Sequence, residues 1–286
     1  MTGHTYLIFG DLHGRILPAF RLALAWQREH EERLGGLLQV GDLGFFPDPS
    51  RLDKATKRHA DRDPLELGAQ LIAVRSREAD AIFADPDLPE ALWFTPGNHE
   101  DYAALDALAH SAGCTRQDFP VDYYQRVRCV RDGHVVTLPG GLRVGALWGI
   151  DDQAPNARRK TPARGRISQR GATLLSYESF DVLLTHDSPR DAMFADSGSD
   201  AITSVIELAR PAFAFFGHYH GEGRLAECAF APTNVFHLHG LEFRERGGAA
   251  ETRSVGVLRW NSQGGQFEYV DPAWLRSVTL HNWRHR

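Results

Sequence analysis

Short runs of apolar residues recur along this chain, and several stop abruptly at a glycine or at polar residues. A strand that is covered on both faces has no polar alternation, so such runs are typical of buried parallel strands. Tyr6–Phe9, Leu37–Val40 and Ala91–Thr95 are of this kind. Helical patterns lie between them, from about Leu17 to Glu32 and from about Leu65 to Phe83. This alternation predicts an α/β fold with parallel strands.

From about Val127 to Trp148 the pattern changes, because the strand candidates Val127–Val130, His134–Leu138 and Leu142–Leu147 are closely spaced and predict a meander in a second sheet. Further buried strands are predicted at Phe180–Thr185 and Ala212–Phe216, and C-terminal strand candidates at Val235–Leu238, Val255–Trp260 and Phe267–Val270. We therefore predict an α/β fold with two mixed β-sheets packed face to face as a sandwich and flanked by helices. Residues 1–286 are expected to form one domain, and the strands and short helix from about 222 to complete its sandwich.

Composition and charge argue against several classes of protein. The net charge of -5 does not favour a protein that coats nucleic acid or anionic membrane through its overall charge. The sequence has no run of 18 apolar residues, so no membrane span is expected. The first residues lack the basic segment and apolar core of a secretion signal. The expected location is cytoplasmic, and no protein partner can be read from the sequence.

Five polar motifs follow apolar runs directly. In chain order they are Asp11-Leu12-His13, Gly41-Asp42, Gly97-Asn98-His99-Glu100, Thr185-His186-Asp187 and Gly217-His218-Tyr219-His220. Ligands of open α/β sheets bind beyond the carboxyl ends of the strands, so we expect these motifs to meet in space. Their carboxylate, carboxamide and imidazole groups are ligands of divalent metals such as Mn, Fe, Zn or Co.

The spacing within the motifs suits metal binding. Residues i and i+2 of an extended segment point to the same side, so Asp11 and His13 can reach one ion. The two histidines of the last motif can do the same in an irregular turn. A glycine comes directly before Asp42, Asn98 and His218, which suits a sharp turn where the backbone must clear the site.

Taken together, the motifs resemble those of the calcineurin-like metallophosphoesterase superfamily, over residues from about 5 to 221. The resemblance implies a pair of mixed sheets flanked by helices and a site for two divalent metal ions. It implies that His99 contacts the scissile phosphate and protonates the leaving oxygen. The metal ligands that it implies are Asp11, His13 and His220 for the first ion, Asn98, His186 and His218 for the second, and Asp42 as the bridge.

The expected reaction is hydrolysis of a phosphate ester by a hydroxide held between the two metals. Two cations about 3.5–4 Å apart can clamp a phosphate and lower the pKa of bound water to about 7. The shared carboxylate of Asp42 would offset the repulsion between them. Manganese is the expected metal, with Fe, Zn, Ni, Co and Mg as alternatives, because sites with nitrogen and oxygen ligands accept several metals.

Two details bear on the substrate. The second motif lacks the Asp-Arg-Gly continuation of Ser/Thr protein phosphatases, whereas Val182–Pro189 and the preceding Leu142–Gln153 resemble segments of RNA lariat-debranching enzymes. This favours a phosphodiesterase that acts on a nucleotide or nucleic acid. The alternatives are a phosphomonoesterase, such as a Ser/Thr protein phosphatase or a dinucleoside polyphosphatase, and a catalytically silent binding protein with the same fold.

A basic loop and a polar block lie between the motifs. Arg158, Arg159 and Lys160 belong to the basic loop 156–170 and are candidates for binding substrate phosphates, with a solvated loop as the alternative. The polar block from Arg51 to Asp63 mixes charges of both signs. It is predicted to be a solvated helix or loop rather than a substrate lid.

Other polar residues lie beside the motifs. Glu100 and Asp187 are expected either to orient an imidazole of the site or to face solvent. His237 and His239 lie near a predicted strand. For this pair we favour structural or supporting roles, because the metal ligands implied above are already complete.

Overall fold

The fold is built from two mixed β-sheets with helices around them, as a computed structural model of the chain describes it over residues 3–152, 163–221 and 230–285. In chain order the strands are β1 (His4–Phe9), β2 (Leu34–Gln39), β3 (Leu92–Phe94), β4 (Asp118–Pro120), β5 (Val127–Val130), β6 (His134–Thr137), β7 (Arg143–Leu147), β8 (Val182–Thr185), β9 (Phe213–Phe216), β10 (Asn234–His237), β11 (Val255–Asn261) and β12 (Gly264–Tyr269). The α-helices are α1 (Ile16–His30), α2 (Lys54–Ala60), α3 (Gly68–Ala73), α4 (Arg77–Phe83), α5 (Tyr102–Ser111), α6 (Gln169–Ser176), α7 (Asp200–Ala209) and α8 (Pro272–Arg276).

The larger sheet has the strand order β12-β11-β1-β2-β3-β5-β4 and the smaller sheet the order β10-β9-β8-β7-β6. The inner strands β1, β2, β3 and β5 are parallel to their neighbours in that series, and β11, β12 and β4 add antiparallel edges. In the smaller sheet β7 to β10 are parallel and β6 is antiparallel. Both sheets are therefore mixed, as predicted, and the C-terminal strands are divided between them.

Alternation along the strands separates three hydrophobic clusters. On β1, Ile8 joins a cluster with Leu184 and Phe215 of the smaller sheet, whereas Phe9 joins a second cluster with side chains of α1. On β8, Leu183 faces a third cluster with α6 and α7. Since successive strand residues point to opposite faces, each sheet is buried on both sides. This explains why the strands appear in the sequence as continuous apolar runs.

Some sequence predictions were wrong in detail. β5 lies beside β3 in the larger sheet and does not start a meander in the smaller one. The turn at Asp132-Gly133 carries the chain from one sheet to the other, which close spacing in sequence does not reveal. The helix predicted from about Leu65 to Phe83 is interrupted, because Val74 is extended and the Ser76 side chain caps a new helix.

Two helices lie beside the motifs. The polar block contains α2, one of the two forms predicted for it, and the first turn of this helix is capped by Asp53 through a hydrogen bond from the backbone N–H of Thr56. Helix α5 follows the third motif directly and begins at the cap residue Asp101. Among the described helices, none has the length and apolarity that crossing a membrane would require.

The hydrophobic contact between the sheets can be tested by a pair of identical substitutions. Leu184 is fully buried between the sheets, so Leu184→Ala should lower the free energy of unfolding by about 2–5 kcal/mol. Leu208 on α7 is 65% exposed, so Leu208→Ala should change it by less than about 0.5 kcal/mol. Urea denaturation followed by circular dichroism measures both, and equal losses would contradict the assigned core.

Candidate metal centre

The five sequence motifs meet at the carboxyl ends of strands from both sheets. Asp11, Asp42 and Asn98 follow β1, β2 and β3 of the larger sheet, and the histidine motifs follow β8 and β9 of the smaller one. Parallel strands place their carboxyl ends at one edge of a sheet. Because His186 of the smaller sheet contacts Asp42 of the larger one, both sheets present their motifs at the same end of the sandwich.

Three of the predicted ligands form a compact group. One donor atom from each of Asp11, His13 and Asp42 lies within 4.8 Å of the others. The Nε2 atom of His13 is 4.0 Å from Oδ2 of Asp11 and 4.0 Å from Oδ2 of Asp42. Both carboxylates are buried and the imidazole is partly exposed. Such a group can surround a cation that is reached from the side of His13.

His186 brings the smaller sheet into this group. Its Nε2 is 3.2 Å from Oδ2 of Asp42, and its Nδ1 is 3.8 Å from Oδ1 of Asp11. Nδ1 is also 3.1 Å from the carbonyl oxygen of Val40, which can only accept, so Nδ1 carries a proton. If the ring were neutral, the Nε2 lone pair would then face the Asp42 carboxylate. Two acceptors in this arrangement need a cation or a further proton between them.

The remaining predicted ligands surround the same point. The His218 ring centroid is 4.9 Å from that of His186, and the His218 backbone N–H donates to Oδ1 of Asp11 at 3.1 Å. Oδ1 of Asn98 is buried and has no hydrogen-bond partner among the described residues. His220 is more exposed and lines a cavity of about 210 Å³ together with His13 and His99. The structure therefore groups Asp11, His13, Asp42, His186 and His218 through direct contacts, and places His220 beside His13 in the wall of one cavity.

Burial and mutual repulsion set the protonation of the group. Burial raises the pKa of Asp11 to about 6, although nearby His186 opposes the shift. Burial also opposes ionisation of Asp42, but the imidazoles around it, His186 above all, keep its pKa well below the usual range. For His186 itself burial favours the neutral ring, yet the Asp42 and Asp11 carboxylates raise its pKa to about 10.

Two of the imidazoles are held neutral. Burial lowers the pKa of both His13 and His218 to about 3, so their rings keep a lone pair at neutral pH. Neutral imidazoles and ionised carboxylates are the forms that bind divalent metals. A metal cation would also replace the proton that the two carboxylates attract to His186. Together with the unpartnered Asn98 oxygen, this donor chemistry fits divalent metal ions.

Glycines next to the ligands leave the room that the site requires. A Cβ atom on Gly97 would overlap Oδ1 of Asp42 and lie 2.7 Å from Cδ2 of His186. One on Gly217 would overlap Oδ1 of Asp11. Each of these glycines precedes a predicted ligand, so here the turns bring backbone and ligand side chains into direct contact.

Three of the predicted ligands in these turns have a strained backbone. His13, Asp42 and His218 adopt positive φ angles of 41°, 51° and 68°. Non-glycine residues rarely adopt this conformation, which costs on the order of 1–3 kcal/mol at such positions. Surrounding contacts hold each of these residues in an unfavourable geometry that directs its side chain to the centre.

His99 lies beside the group but faces a different partner. Its backbone N–H donates to Oδ1 of Asp42 at 2.8 Å, and its Nδ1 is 2.5 Å from Oδ2 of Asp53. Its ring centroid lies 5.8 Å from that of His13. Burial opposes protonation of His99, but the carboxylates of Asp42 and Asp53 raise its pKa to about 9.

Asp53 was missed by the sequence analysis. Its only local signal was the spacing Asp-x-x-Thr of a helix N-cap, which gives no hint of contact with a histidine 46 positions away. Because Asp53 caps α2, the helix is joined to the site through His99. Ala55, Thr56, Arg58 and His59 of α2 line the small cavity, while Lys54, Lys57 and Arg58 are exposed, as expected for a solvated helix.

Glu100 and Asp187 support loops rather than imidazoles. Both are buried, so neither faces solvent. Glu100 accepts hydrogen bonds from the backbone N–H groups of Leu43 and Phe45, which fixes the loop that follows Asp42. Burial and the charge of Asp42 raise the pKa of Glu100 to about 8.

Asp187 fixes the loop of the last motif in a similar way. It accepts hydrogen bonds from the Tyr219 hydroxyl at 2.6 Å and from the backbone N–H of Asp151 at 2.8 Å. Tyr219 lies between the two histidines of its motif, so Asp187 fixes the turn that carries them. The sequence indicated that these two carboxylates matter, but not which groups they contact.

Two other candidates from the sequence, His237 and His239, contact each other, and the rest lie outside the described residues. His237 is buried with its ring 5.2 Å from that of Phe216, and the His239 ring lies 5.2 Å from His237. These contacts agree with structural roles. Arg158, Arg159 and Lys160 lie outside the described residues.

Comparisons with known proteins concern the fold alone. No family model and no curated protein matches the sequence. One crystal structure has a TM-score of 0.54 at 14% identity, covering 94% of this chain and 100% of its own. A crystal structure of TT1561 of Thermus thermophilus has a TM-score of 0.49 at 11% identity, over 94% of this chain and 100% of that one. GAP50, the anchor in the inner membrane complex of Plasmodium, has a TM-score of 0.47 at 10% identity, over 95% and 85%.

The need for space beside the ligands gives a direct test. Gly97→Ala should displace Asp42 and His186 and weaken Mn²⁺ binding at least tenfold, because the added methyl group has no room. Gly240→Ala is a matched control, since its Cβ would lie 3.5 Å from the nearest atom, the carbonyl oxygen of Asp11. Isothermal titration calorimetry with Mn²⁺ measures both, and equal affinities would argue against these residues as ligands.

Proposed function

We propose that this chain is a metal-dependent phosphoesterase of the calcineurin-like metallophosphoesterase type, which hydrolyses a phosphodiester of a nucleotide or nucleic acid. The observation that supports it most is the position of Asp42, whose carboxylate lies against His13 and His186 and accepts a hydrogen bond from the backbone of His99. A carboxylate at the centre of two ligand groups is what a pair of neighbouring cations needs, because a shared anion offsets their repulsion.

The resemblance of the motifs divides the donor set into two groups around that carboxylate. Asp11, His13 and His220 would hold one ion, and Asn98, His186 and His218 the other. When bound, two divalent ions supply Lewis acidity that activates water at neutral pH and neutralises charge on the phosphate. Manganese is the metal proposed here, and the resemblance of the motifs, rather than the geometry, is the reason for that choice.

The residues of the chain itself would orient the phosphate and handle the proton. Since Asp53 accepts from Nδ1 of His99, the other ring nitrogen, Nε2, is the one left for a substrate. With a pKa raised to about 9, His99 is protonated at neutral pH. It can therefore donate a proton from Nε2 to the leaving oxygen, or stabilise the charge that develops on the phosphate.

Proton donation and metal binding can be separated by substitution. His99→Ala should retain the metals and lose activity by about 10²–10⁴-fold on an alkyl ester, which needs a general acid. The loss should be smaller on a p-nitrophenyl ester, whose leaving group departs without a proton. Asp42→Ala should instead lose both metal and activity, since the shared anion is gone.

Metal content by mass spectrometry, measured beside kcat on both kinds of ester, decides between these outcomes. If His99→Ala loses metal, or loses the same activity on both esters, the residue is not the proton donor. If the wild-type chain with Mn²⁺ hydrolyses neither phosphodiesters nor phosphomonoesters, the proposed function is wrong.

The Asp53–His99 contact should appear in the pH dependence. A general acid must be protonated, so activity should fall as the pH rises through the pKa of His99. Asp53 stabilises the imidazolium, and Asp53→Asn should therefore lower that pKa and move the alkaline limb of the kcat profile to lower pH. Asparagine is also a good helix cap, so α2 should remain intact.

Asp48→Asn is the matched control, because Asp48 caps the preceding helical turn through Ser50 and is exposed. The alkaline limb of the kcat profile of Asp48→Asn should coincide with that of the wild-type chain. An unmoved limb in Asp53→Asn would show that the two residues do not share a proton-handling role.

A further inference from the structure

A second and larger cavity adjoins the metal centre. It has a volume of about 880 Å³, and Arg58, His59, Glu66 and Arg244 line both it and the small cavity that contains His99. The two cavities therefore share part of their wall, and the larger space lies next to the site where a substrate would meet the metals. Ligand pockets for compounds of nucleotide size have volumes in this range, about 300–1,000 Å³.

The wall of this larger space is rich in arginine. Its guanidinium groups come from the start of α1, α2 and the turn after it, the segment after β10 and the C-terminal helical turn, and they belong to Arg15, Arg58, Arg62, Arg244 and Arg284. We call this space the arginine cavity. The chain as a whole carries a net charge of -5, so such a concentration of positive charge is local and not a property of the surface at large.

Two of the arginines are already neutralised within the protein. Arg15 is buried and forms ion pairs with Asp63 at 2.5 Å and Glu66 at 3.1 Å, which are the carboxylates of the arginine cavity itself. Arg244 is 2.5 Å from Glu242. These pairs stabilise the wall and leave little charge for a ligand.

The other three arginines remain available. Within the described part of the chain, Arg58, Arg62 and Arg284 have no carboxylate oxygen within 4.0 Å. Arg284 is held in place by its own neighbour, since its guanidinium carbon lies 4.4 Å from the centre of the Trp283 ring. Arg58 contacts the Nε2 atom of its neighbour His59, at 3.2 Å. Three guanidinium groups without a carboxylate partner around one space match the charge and the planar hydrogen-bonding geometry of phosphate.

Apolar side chains complete the wall. Leu65, Phe243 and Leu280 line the cavity beside the arginines. A free inorganic anion has no apolar surface to bury against these side chains, whereas the sugar and base of a nucleotide do. The cavity therefore fits a phosphate that is attached to an organic group.

We propose that the arginine cavity binds a further phosphate group of the substrate, one that is not hydrolysed. The substrate would then be a phosphate ester that carries at least one additional phosphate, as an oligonucleotide or a nucleoside polyphosphate does. This inference rests on the proposed function, since it takes the scissile phosphate to lie at the metal centre. Arg62 and Arg284, which line the arginine cavity but not the small one, are the residues that distinguish the two sites.

The test compares two esters with the same leaving group. One is the p-nitrophenyl ester of thymidine 5′-phosphate, and the other carries an additional 3′-phosphate. In the double variant Arg62→Gln/Arg284→Gln, kcat/KM should fall at least tenfold for the ester with two phosphates and much less for the ester with one, mostly through KM. The control is Arg77→Gln/Arg116→Gln, which removes the same charge from exposed positions elsewhere and should leave both values unchanged.

A binding measurement makes the result independent of turnover. Calorimetric titration with thymidine 3′,5′-bisphosphate should show at least tenfold weaker binding in the Arg62/Arg284 variant than in the control. Equal losses on both esters, or unchanged binding of the bisphosphate, would overturn the inference while leaving the phosphoesterase proposal intact. If the wild-type chain with Mn²⁺ hydrolyses neither these esters nor a phosphomonoester, the phosphoesterase proposal fails, and the titration alone still decides whether the cavity binds phosphate.

A final experiment determines which kind of compound supplies the additional phosphate. A tetranucleotide and a dinucleoside tetraphosphate are each used to inhibit hydrolysis of the two-phosphate ester. The compound whose inhibition constant rises at least tenfold in the Arg62/Arg284 variant is the one that reaches the arginine cavity. A rise for neither compound would overturn the inference.

Discussion

Two carboxylates buried within reach of the same imidazoles are the constraint on which the rest of the structure depends. Asp11 and Asp42 are only 3% and 2% exposed, and an uncompensated charge at such a position costs several kcal/mol. The surrounding chain supplies compensation from several directions. Imidazoles from both sheets face the pair, and the backbone N–H groups of His99 and His218 donate directly to it.

These hydrogen bonds join motifs that are distant in sequence. Asp11 after β1 accepts from the loop after β9, and Asp42 after β2 accepts from the loop after β3. Glu100, in the loop after β3, in turn accepts hydrogen bonds from the loop that follows Asp42 and so fixes that loop. Each motif thus supports its neighbour. Strained residues such as Asp42, with its positive φ, are tolerated because several independent contacts determine their position.

Much of this arrangement could be predicted from sequence because it follows from one rule, that parallel strands deliver their following residues to one edge. The motifs were recognised because each came directly after an apolar run. The position of β5 could not be predicted in this way, since a short turn after Val130 can lead to either sheet. Asp53 could not be predicted either, because its contact with His99 depends on how α2 folds back over the site.

The placement of β1 has a consequence for how the chain is made. β1 lies between β2, which follows it closely, and β11, whose residues Val255–Asn261 come some 250 positions later. During synthesis, one edge of β1 therefore stays unpaired until β11 has been made. The carbonyl of Asp11 likewise lacks its partner until Leu241, which donates to it, has been made. Contacts of such long range form slowly and leave unpaired backbone groups at the strand edge and apolar side chains uncovered in the meantime. A nascent chain of this protein would depend on protection of its first strand until its last strands have emerged.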